Sequence, residues 1–148
     1  MRVSNSFWIR ADVQDSFVMG KNDRATGQSW GIQCENTPGD GLGVRLDLGD
    51  DRRGTPNLAT TGQLVFGGWH HVCMEVNREE QTATVFLDAT LQRSLDISQI
   101  GNIANSVSLS MGKRVDGWNK FRGQLDEVRI YNRALMASEI ADLYQAAQ

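Results

Sequence analysis

The chain contains few of the residues that mark several common protein classes. Its 148 residues include only two cysteines, two prolines and two histidines, and no apolar run is long enough to cross a membrane. Scarce proline and 40% apolar residues fit one globular domain whose core needs no disulfide staples. We therefore expect a single domain over residues 1–148. The N-terminal segment lacks the apolar centre of a signal peptide, which leaves the compartment open.

Basic residues are not in excess either. Lysine and arginine number 15 against 18 acidic residues, a net charge of −3, and the nearest thing to a basic cluster is the pair Arg52 and Arg53. Proteins that bind nucleic acid neutralise its phosphates with a basic surface. We therefore expect neither a nucleic-acid partner nor insertion into a membrane.

Alternation of apolar and polar residues dominates what is present. The clearest example is LGVRLDL at residues 42–48, where leucine and valine alternate with arginine and aspartate, as is typical of a half-buried strand. Similar runs occur at residues 71–76, 82–88 and 106–111, separated by segments rich in glycine, asparagine and aspartate. Helical spacing occurs once, around Ile140. The pattern predicts an all-β antiparallel sandwich with one short C-terminal helix.

Four segments, taken in order, resemble a known family. FRGQLDEVRIYNRALMASEIADLY at residues 121–144 is similar to the closing signature of laminin-G-like domains in the concanavalin A-like lectin/glucanase superfamily. GGWHHVCMEVNREEQTATVFLDATL at 67–91 resembles its Trp-His-His-Val strand and hairpin partner. SVSLSMGK at 106–113 resembles its small-residue strand, and SFVMGKND at 16–23 its early Lys-Gly turn. The resemblance covers residues 6 to 145.

The resemblance implies a two-sheet antiparallel jelly roll with a short C-terminal helix. Such domains usually belong to larger extracellular or cell-surface proteins, bind carbohydrate or protein, and often hold a structural calcium ion. Family members begin one strand earlier, so the usual first N-terminal strand is expected to be missing here. Either MRVSNSF at residues 1–7 takes the vacant place beside the closing strand, or a second chain covers that open edge and gives a homodimer.

Two local features depart from the family pattern. The hairpin that follows TATVFL normally turns on Asp-Gly, but here Ala89 follows Asp88, so we expect a different or longer turn. Met136 stands where a serine or threonine normally caps the helix three residues before a glutamate. The reciprocal capping box is therefore not expected, and Ser138 is an alternative cap one turn later.

The resemblance also implies a calcium site. The aspartate of LDEV, here Asp126, commonly contributes a carboxylate oxygen, and backbone carbonyls from early loops complete the shell. Calcium takes about six to eight oxygen ligands, and the segment GKND, which begins at Gly20, can supply carbonyls. We therefore predict Asp126 and Gly20 as ligands of a structural calcium ion. The alternative is that Asp126 only accepts a hydrogen bond from a neighbouring backbone group or arginine.

One tryptophan stands apart from the other three. Trp30 is in phase with the core, Trp69 opens a strand at which the family uses tryptophan structurally, and Trp8 can face either way. Trp118 instead lies in the polar loop KRVDGWNK and has no periodic apolar neighbours. Indole faces stack against the apolar faces of sugars, while polar side chains bond the hydroxyl groups.

The loop around Trp118 is therefore the predicted ligand site. The predicted ligand-binding residues are Trp118, Asn119, Asp116 and Arg114. The alternative is that the Trp118 ring anchors the loop in the core.

The positions of the cysteines and histidines favour neither a disulfide nor a catalytic site. Strand parity turns Cys34 toward the core and Cys73 toward the opposite face, so we expect two free thiols. His70 and His71 are adjacent and point to opposite faces of their strand, and no Gly-x-Ser-x-Gly elbow exists. His71 would share a face with Cys73 and Glu75, where we expect surface positions. The paired-acid spacing Glu-x-Asp-x-x-Glu is also absent.

The sequence thus favours a non-catalytic recognition module. Carbohydrate is the favoured ligand, and the module would normally be attached to a larger extracellular or surface protein. A protein–protein interaction or adhesion module is the main alternative. A glycan-cleaving enzyme is a third class, and it would require two carboxylates about 5 to 9.5 Å apart in a cleft.

Overall fold

The computed structural model describes residues 1–23, 25–37, 41–50, 52, 57–59 and 64–147. This part of the chain contains ten strands and one helix. The strands are β1 (Arg2–Ala11), β2 (Ser16–Asn22), β3 (Ser29–Thr37), β4 (Gly41–Gly49), β5 (Asn57–Ala59), β6 (Trp69–Asn77), β7 (Thr82–Leu87), β8 (Thr90–Asp96), β9 (Ser110–Met111) and β10 (Gly123–Tyr131). The helix is α1 (Ala137–Gln145).

The strands form two antiparallel sheets. The first sheet has the order β10-β1-β6-β7-β8 and the second the order β5-β4-β3-β2-β9. Apolar residues of alternating parity fill the space between them, as in the inward set Val72, Met74 and Val76 of β6. The predicted two-sheet jelly roll with one C-terminal helix is therefore confirmed.

A second apolar cluster lies on the outer face of the first sheet, beneath α1. Cys73, Leu135 and Ile140 are buried there, and Leu143 packs against them. The expectation that His71 and Cys73 lie on the surface is therefore wrong, since α1 covers this face and both side chains are buried. The alternation of apolar residues in β6 indicates which face points inward, but it does not indicate that a helix packs on the outward face.

The two cysteines are free, as predicted. Cys34 belongs to the core between the sheets, whereas Cys73 belongs to the cluster beneath α1. The Cys34 side chain, on β3, therefore points into the space between the two sheets, and the Cys73 side chain, on β6, points out of it, from the outer face of the first sheet. Burial raises the pKa of each thiol to about 12, so both stay protonated at neutral pH.

The N-terminal segment takes the place beside the closing strand. β1 pairs with β10 on one side and with β6 on the other, so residues of MRVSNSF lie beside the closing strand as the first alternative predicted, but they do not cover its outer edge. Among the described strands β10 has no second neighbour, and its outer edge is open. Val128 packs against the core, whereas Ile130 is 45% exposed because β10 is the outermost strand of its sheet.

A bulge interrupts the pairing of β10 with β1. The register shifts between Ser6 and Trp8, and Glu127 on β10 has φ 51°, in the left-handed region. A residue with a Cβ in this region costs roughly 1–2 kcal/mol. The Asp126 carboxylate supports the bulge, because its Oδ1 accepts the Glu127 N–H at 2.7 Å. Bulges increase local twist and re-aim side chains.

The hairpin between β7 and β8 closes without the expected glycine. Leu87 pairs with Thr90, so the turn has two residues, and Asp88 and Ala89 have φ 49° and 62°. The prediction of a different or longer turn is therefore wrong, because this is the usual primed turn with Ala89 in a left-handed conformation. The Asp88 side chain holds it by accepting the His71 N–H at 2.8 Å.

The N-terminus of α1 lies one residue after Met136, which is the N-cap. Met136 has no hydroxyl with which to accept a helix N–H, but the Glu139 carboxylate accepts the Met136 N–H at 2.8 Å. Half of a capping box is thus formed, and Ser138 lies inside the helix and is not its cap. Hydrogen bonding to Arg133 is the main cause that lowers the pKa of Glu139 to about 2.

One predicted strand is much shorter than expected. In the run 106–111 only Ser110 and Met111 form a strand, and Leu109 and Met111 are exposed instead of inward. β9 is the outermost strand of the second sheet and pairs only with Met19 and Gly20 of β2. Alternation here did not indicate burial, because the segment lies at the margin of the sandwich.

Candidate functional site

The loop between β9 and β10 is tied down at its base. Gly112 donates its N–H to Val18 O at 2.9 Å, and Phe121 donates to Gly112 O at 2.7 Å. Phe17 of β2 donates to Asn119 O at 2.8 Å. These bonds connect the loop to the second sheet, and Phe121 packs against the core at the base of the loop, so the loop conformation does not depend on burying Trp118.

Trp118 is the most exposed aromatic side chain of the described residues, with 68% of its surface accessible. The alternative in which its ring anchors the loop in the core is therefore wrong. Asp116 holds the turn, because its Oδ1 accepts the Trp118 N–H at 3.1 Å and its carboxylate pairs with Arg114. Asn119 follows with φ 52°. The structure thus brings the four predicted ligand-binding residues together in one loop, and their binding role stays a prediction.

The two predicted calcium ligands lie in different sheets. Asp126 is on β10, and its side chain is on the outer face of the first sheet, beside Trp8 and Ala147. Gly20 is on β2 in the second sheet, and its carbonyl accepts the Ser110 hydroxyl at 3.4 Å. Packed sheets are about 10 Å apart, whereas calcium–oxygen bonds are about 2.3–2.6 Å.

The pair Asp126 and Gly20 therefore does not fit a single calcium ion. The observed role of Asp126 is the alternative one, acceptance of a backbone N–H. Within the described ranges no group of three or more histidine, cysteine, aspartate or glutamate side chains is gathered for a metal ion. Calcium binding by this chain stays a prediction that rests on the family resemblance.

A cleft that the sequence reasoning missed lies on the outer face of the first sheet, beside the end of α1. It encloses about 250 Å³ and is lined by Trp8, Trp69, Asp126, Glu127 and Ala147. We call it the tryptophan cleft. Trp69 is not a core residue, since 43% of its surface is exposed.

Tyr144 fixes Trp8 in the floor of the cleft. The two rings stack with centroids 5.7 Å apart and planes at 17°. The His71 ring lies 5.5 Å from Trp8 and tilted to it. Trp8 thus faces outward, toward α1, and the packing around it leaves little rotational freedom.

The bulge in β10 explains why two adjacent acids line the same cleft. Neighbouring residues of a regular strand point to opposite faces, but Asp126 and Glu127 both reach the tryptophan cleft. Glu127 pairs with the Arg129 guanidinium. Asp126 Oδ2 makes no hydrogen bond to any residue that the structure describes.

A second, smaller depression continues from the tryptophan cleft. It encloses about 180 Å³ and shares Glu127 and Ala147 with the first, and Arg129 and Leu143 complete its wall. The two depressions form a groove between β10 and the C-terminal end of α1. The only sequence signal for this groove is tryptophan at outward-facing strand positions. That signal becomes informative only when the position of helix α1 on the outer face is known.

His71 is buried beneath α1 without full hydrogen bonding. Its Nε2 lies 2.9 Å from Ser6 Oγ, and its Nδ1 has no partner among the described residues. Burial lowers the pKa of His71, which Asp88 opposes and Arg129 reinforces. The ring therefore acts here as a neutral packing element.

Comparison with known proteins decides the family. The model of the concanavalin A-like lectin/glucanases superfamily matches residues 2–141. The chain belongs to this superfamily. A search of curated proteins gave no match.

Solved structures with the same fold include several binding domains. The CBM40 domain of an IT-sialidase from Ruminococcus gnavus, bound to α2,3-sialyllactose, superimposes with a TM-score of 0.78 at 14% identity, covering 97% of this chain and 82% of that one. The receptor-binding domain of botulinum neurotoxin C/D mosaic serotype gives 0.76 at 15% identity, covering 98% and 36%. A SAP-like pentraxin from Limulus polyphemus gives 0.74 at 12% identity, covering 97% and 69%. At these identities the likeness establishes the shared fold.

The helix content gives one further finding. No helix in the described part of this superfamily member is both long and apolar enough to span a membrane.

Proposed function

We propose that this chain is a non-catalytic recognition module that binds carbohydrate through the Trp118 loop. The observation that carries the proposal is an indole with 68% of its surface exposed on a loop whose base is fixed by backbone hydrogen bonds. A ring presented in this way can stack on a sugar with little loss of conformational freedom. Arg114, Asp116 and Asn119 supply donors and acceptors beside it.

The described acids support binding over hydrolysis. Asp126 and Glu127 share a cleft, but each is already engaged locally, Asp126 by the Glu127 N–H and Glu127 by Arg129. Glycoside hydrolysis needs one acid to deliver a proton and a second to attack or activate water at the same bond. Neighbouring acids held in this way are better suited to accept hydrogen bonds from hydroxyl groups.

A glycan array tests the proposal. The wild-type chain and Trp118→Ala are screened in parallel, each with calcium and with a chelator. We expect the wild type to bind at least one class of glycan and Trp118→Ala to bind it more weakly, and the chelator arm tests the calcium prediction separately. Equal binding by Trp118→Ala would move the site away from this loop, and failure of the wild type to bind any glycan would contradict the proposed function.

A protein–protein adhesion module is the second candidate, and a specific observation favours it. Leu109, Met111, Val115 and Trp118 are all exposed within one short stretch of chain. Exposed apolar residues that lie close together often mark a protein-binding surface. In this case Trp118→Ala and Met111→Ser would both reduce binding to a protein partner, whereas a sugar site predicts an effect of Trp118→Ala alone.

Homodimerisation through the first sheet stays a prediction. The outer edge of β10 is open among the described strands, and an edge of this kind can pair with another strand. The bulge at Glu127 opposes such pairing, because it interrupts the regular spacing of backbone donors and acceptors. Light scattering over a range of protein concentrations distinguishes monomer from dimer.

A further inference from the structure

We propose that the tryptophan cleft is a second carbohydrate-contacting site, separate from the Trp118 loop. It would take one pyranose ring against Trp69 and Trp8 and bind the hydroxyl groups of that ring through Asp126 and Glu127. The inference rests on the proposed function only for the class of ligand. Its residues, its face of the molecule and its test are different.

The floor of the cleft is rigid and aromatic. Trp8 pairs with His71, and Arg10 pairs with Trp69, so the two indoles lie diagonally on adjacent strands and on the same outer face. Both are held by sheet hydrogen bonds, and Trp8 is also stacked on Tyr144. A sugar that binds here meets a backbone platform that is already ordered, on which the Trp8 ring is also fixed by stacking.

The acidic wall supplies acceptors for hydroxyl groups. Asp126 Oδ2 makes no hydrogen bond to a described residue, so it can accept one from a ligand. Glu127 is turned to the same wall by the bulge, in a left-handed backbone conformation that glutamate rarely adopts. Strained backbone of this kind persists where a side chain has to be placed against its usual preference.

The size of the cleft limits the ligand to one ring. Its volume of about 250 Å³ is below the roughly 300–1,000 Å³ of pockets that hold drug-sized ligands. The adjoining depression, which shares Glu127 and Ala147, has room for part of a neighbouring residue beside Arg129. We therefore expect a disaccharide to bind more tightly than either of its monosaccharides.

Indole NMR signals test the cleft directly. The chain is labelled with ¹⁵N, and the four indole N–H signals are assigned with single Trp→Phe variants. Lactose, cellobiose, chitobiose and sialyllactose are then titrated, each beside its monosaccharides. We expect at least one of these oligosaccharides to shift the Trp69 and Trp8 signals, and to do so equally in Trp118→Phe. If none of these sugars shifts either signal, the inference is wrong.

The design separates this inference from the proposed function. Shifts at Trp69 and Trp8 without any glycan effect at Trp118 would support the cleft and contradict the loop. Shifts at Trp118 alone would support the loop and overturn the cleft.

The variant Glu127→Gly separates binding from folding. Glycine relieves the left-handed conformation, so we expect the melting temperature to stay the same or rise, while the sugar that shifts Trp69 binds about tenfold more weakly. Gln81→Gly is the matched control, because Gln81 also has a positive φ, 55°, but lies in the turn between β6 and β7, away from the cleft. It should leave the affinity unchanged.

A second variant guards against an unexpected structural effect of glycine. Asp126→Asn keeps the side-chain size and an oxygen for the Glu127 N–H, but removes the charge from the acceptor. It should also weaken binding with little change in melting temperature. Wild-type affinity in both Glu127→Gly and Asp126→Asn would overturn the role of the acidic wall.

Discussion

Trp8 and Trp118 are the same residue type in opposite surroundings. Trp8 lies on a central strand of the first sheet, stacked on Tyr144 and close to the buried His71, whereas Trp118 projects from a loop with 68% of its surface exposed. The difference between the two residues is whether another element packs over them. Helix α1 lies over the outer face of the first sheet at Trp8, and no described element lies over the loop.

The difference shows that one aromatic residue of this domain is packed into the fold and another is presented to solvent, and under the proposed function stability and recognition use different aromatic residues. The stack beneath α1 contributes packing area and is held by neighbours on several elements. The loop at Trp118 is held by backbone hydrogen bonds instead, so we expect that removal of the Trp118 side chain leaves the fold intact. The tryptophan cleft lies between these extremes, since Trp8 is packed on one side and Trp69 is open to solvent.

The largest expected loss of stability comes from truncating the buried residue that holds helix α1 against the first sheet. Ile140 is the residue of α1 that is fully buried, and Ile140→Ala should destabilise the fold by about 2–5 kcal/mol and loosen the Trp8–Tyr144 stack. Urea unfolding measures the loss, and near-ultraviolet circular dichroism reports the aromatic packing. Gln145→Ala on the same helix is exposed and should change stability by no more than about 0.5 kcal/mol. Equal effects of the two variants would contradict the role given to α1.

This contrast also marks what the sequence could predict. The inward face of β6 was evident from alternation, because each apolar residue needs a partner in the opposite sheet. The outward face was not, because burial of His71 and Cys73 depends on where a helix more than 60 residues later returns. The same limit hid the cleft at Trp69, which forms only where the bulge in β10 meets the end of α1.

Local exceptions to the family pattern were predicted less well than the pattern itself. Ala89 was expected to change the turn, yet the turn keeps two residues because the Asp88 side chain binds the His71 N–H and lies 2.8 Å from the His70 ring nitrogen. The carboxylate fixes the geometry that glycine would otherwise make easy. The Trp118 loop was identified correctly as a distinct segment, since nothing in its periodicity indicated burial.

Mild acid should lower the free energy of unfolding through His71, which is buried beneath helix α1. His71 has a lowered pKa in the folded state, so the unfolded chain binds more protons and stability falls as the pH drops below about 6.5, the ordinary value of the group. Protonation would also place a second N–H in a site where Nδ1 has no described acceptor. Urea unfolding between pH 7.5 and 5 measures the slope.

The matched variant for this test is His71→Gln, which removes the titrating group. It starts from a lower stability, and its slope over the same pH range should be smaller than that of the wild type. Asp50 and Glu139, whose pKa values are lowered to about 2, contribute only at more acidic pH, where they lose stability below their ordinary values near 4. Identical slopes for wild type and variant would show that His71 does not control the effect.

A smaller effect, of opposite sign, should follow from completing the helix cap. Met136→Ser supplies a hydroxyl at the N-cap while the Glu139 carboxylate still accepts the N–H of residue 136, and we expect a gain of about 1 kcal/mol. Met136→Ala is the control, since it removes the exposed methionine without adding an acceptor. If serine and alanine give the same stability, the half-formed cap already suffices, and a hydroxyl at residue 136 does not stabilise helix α1.

The smallest stability effect is expected at Trp118 itself. Trp118→Ala removes a side chain that is 68% exposed, and the base of the loop keeps its hydrogen bonds from Phe17, Gly112 and Phe121, so the free energy of unfolding should change by no more than about 0.5 kcal/mol. Trp8→Ala, measured beside it by urea unfolding, should cost about 3 kcal/mol because it opens a gap against Tyr144 and His71. A loss at Trp118 comparable to that at Trp8 would mean that the indole packs against the protein in solution. The ring would then be unavailable to a sugar, and the contrast between a covered and a presented tryptophan would no longer hold.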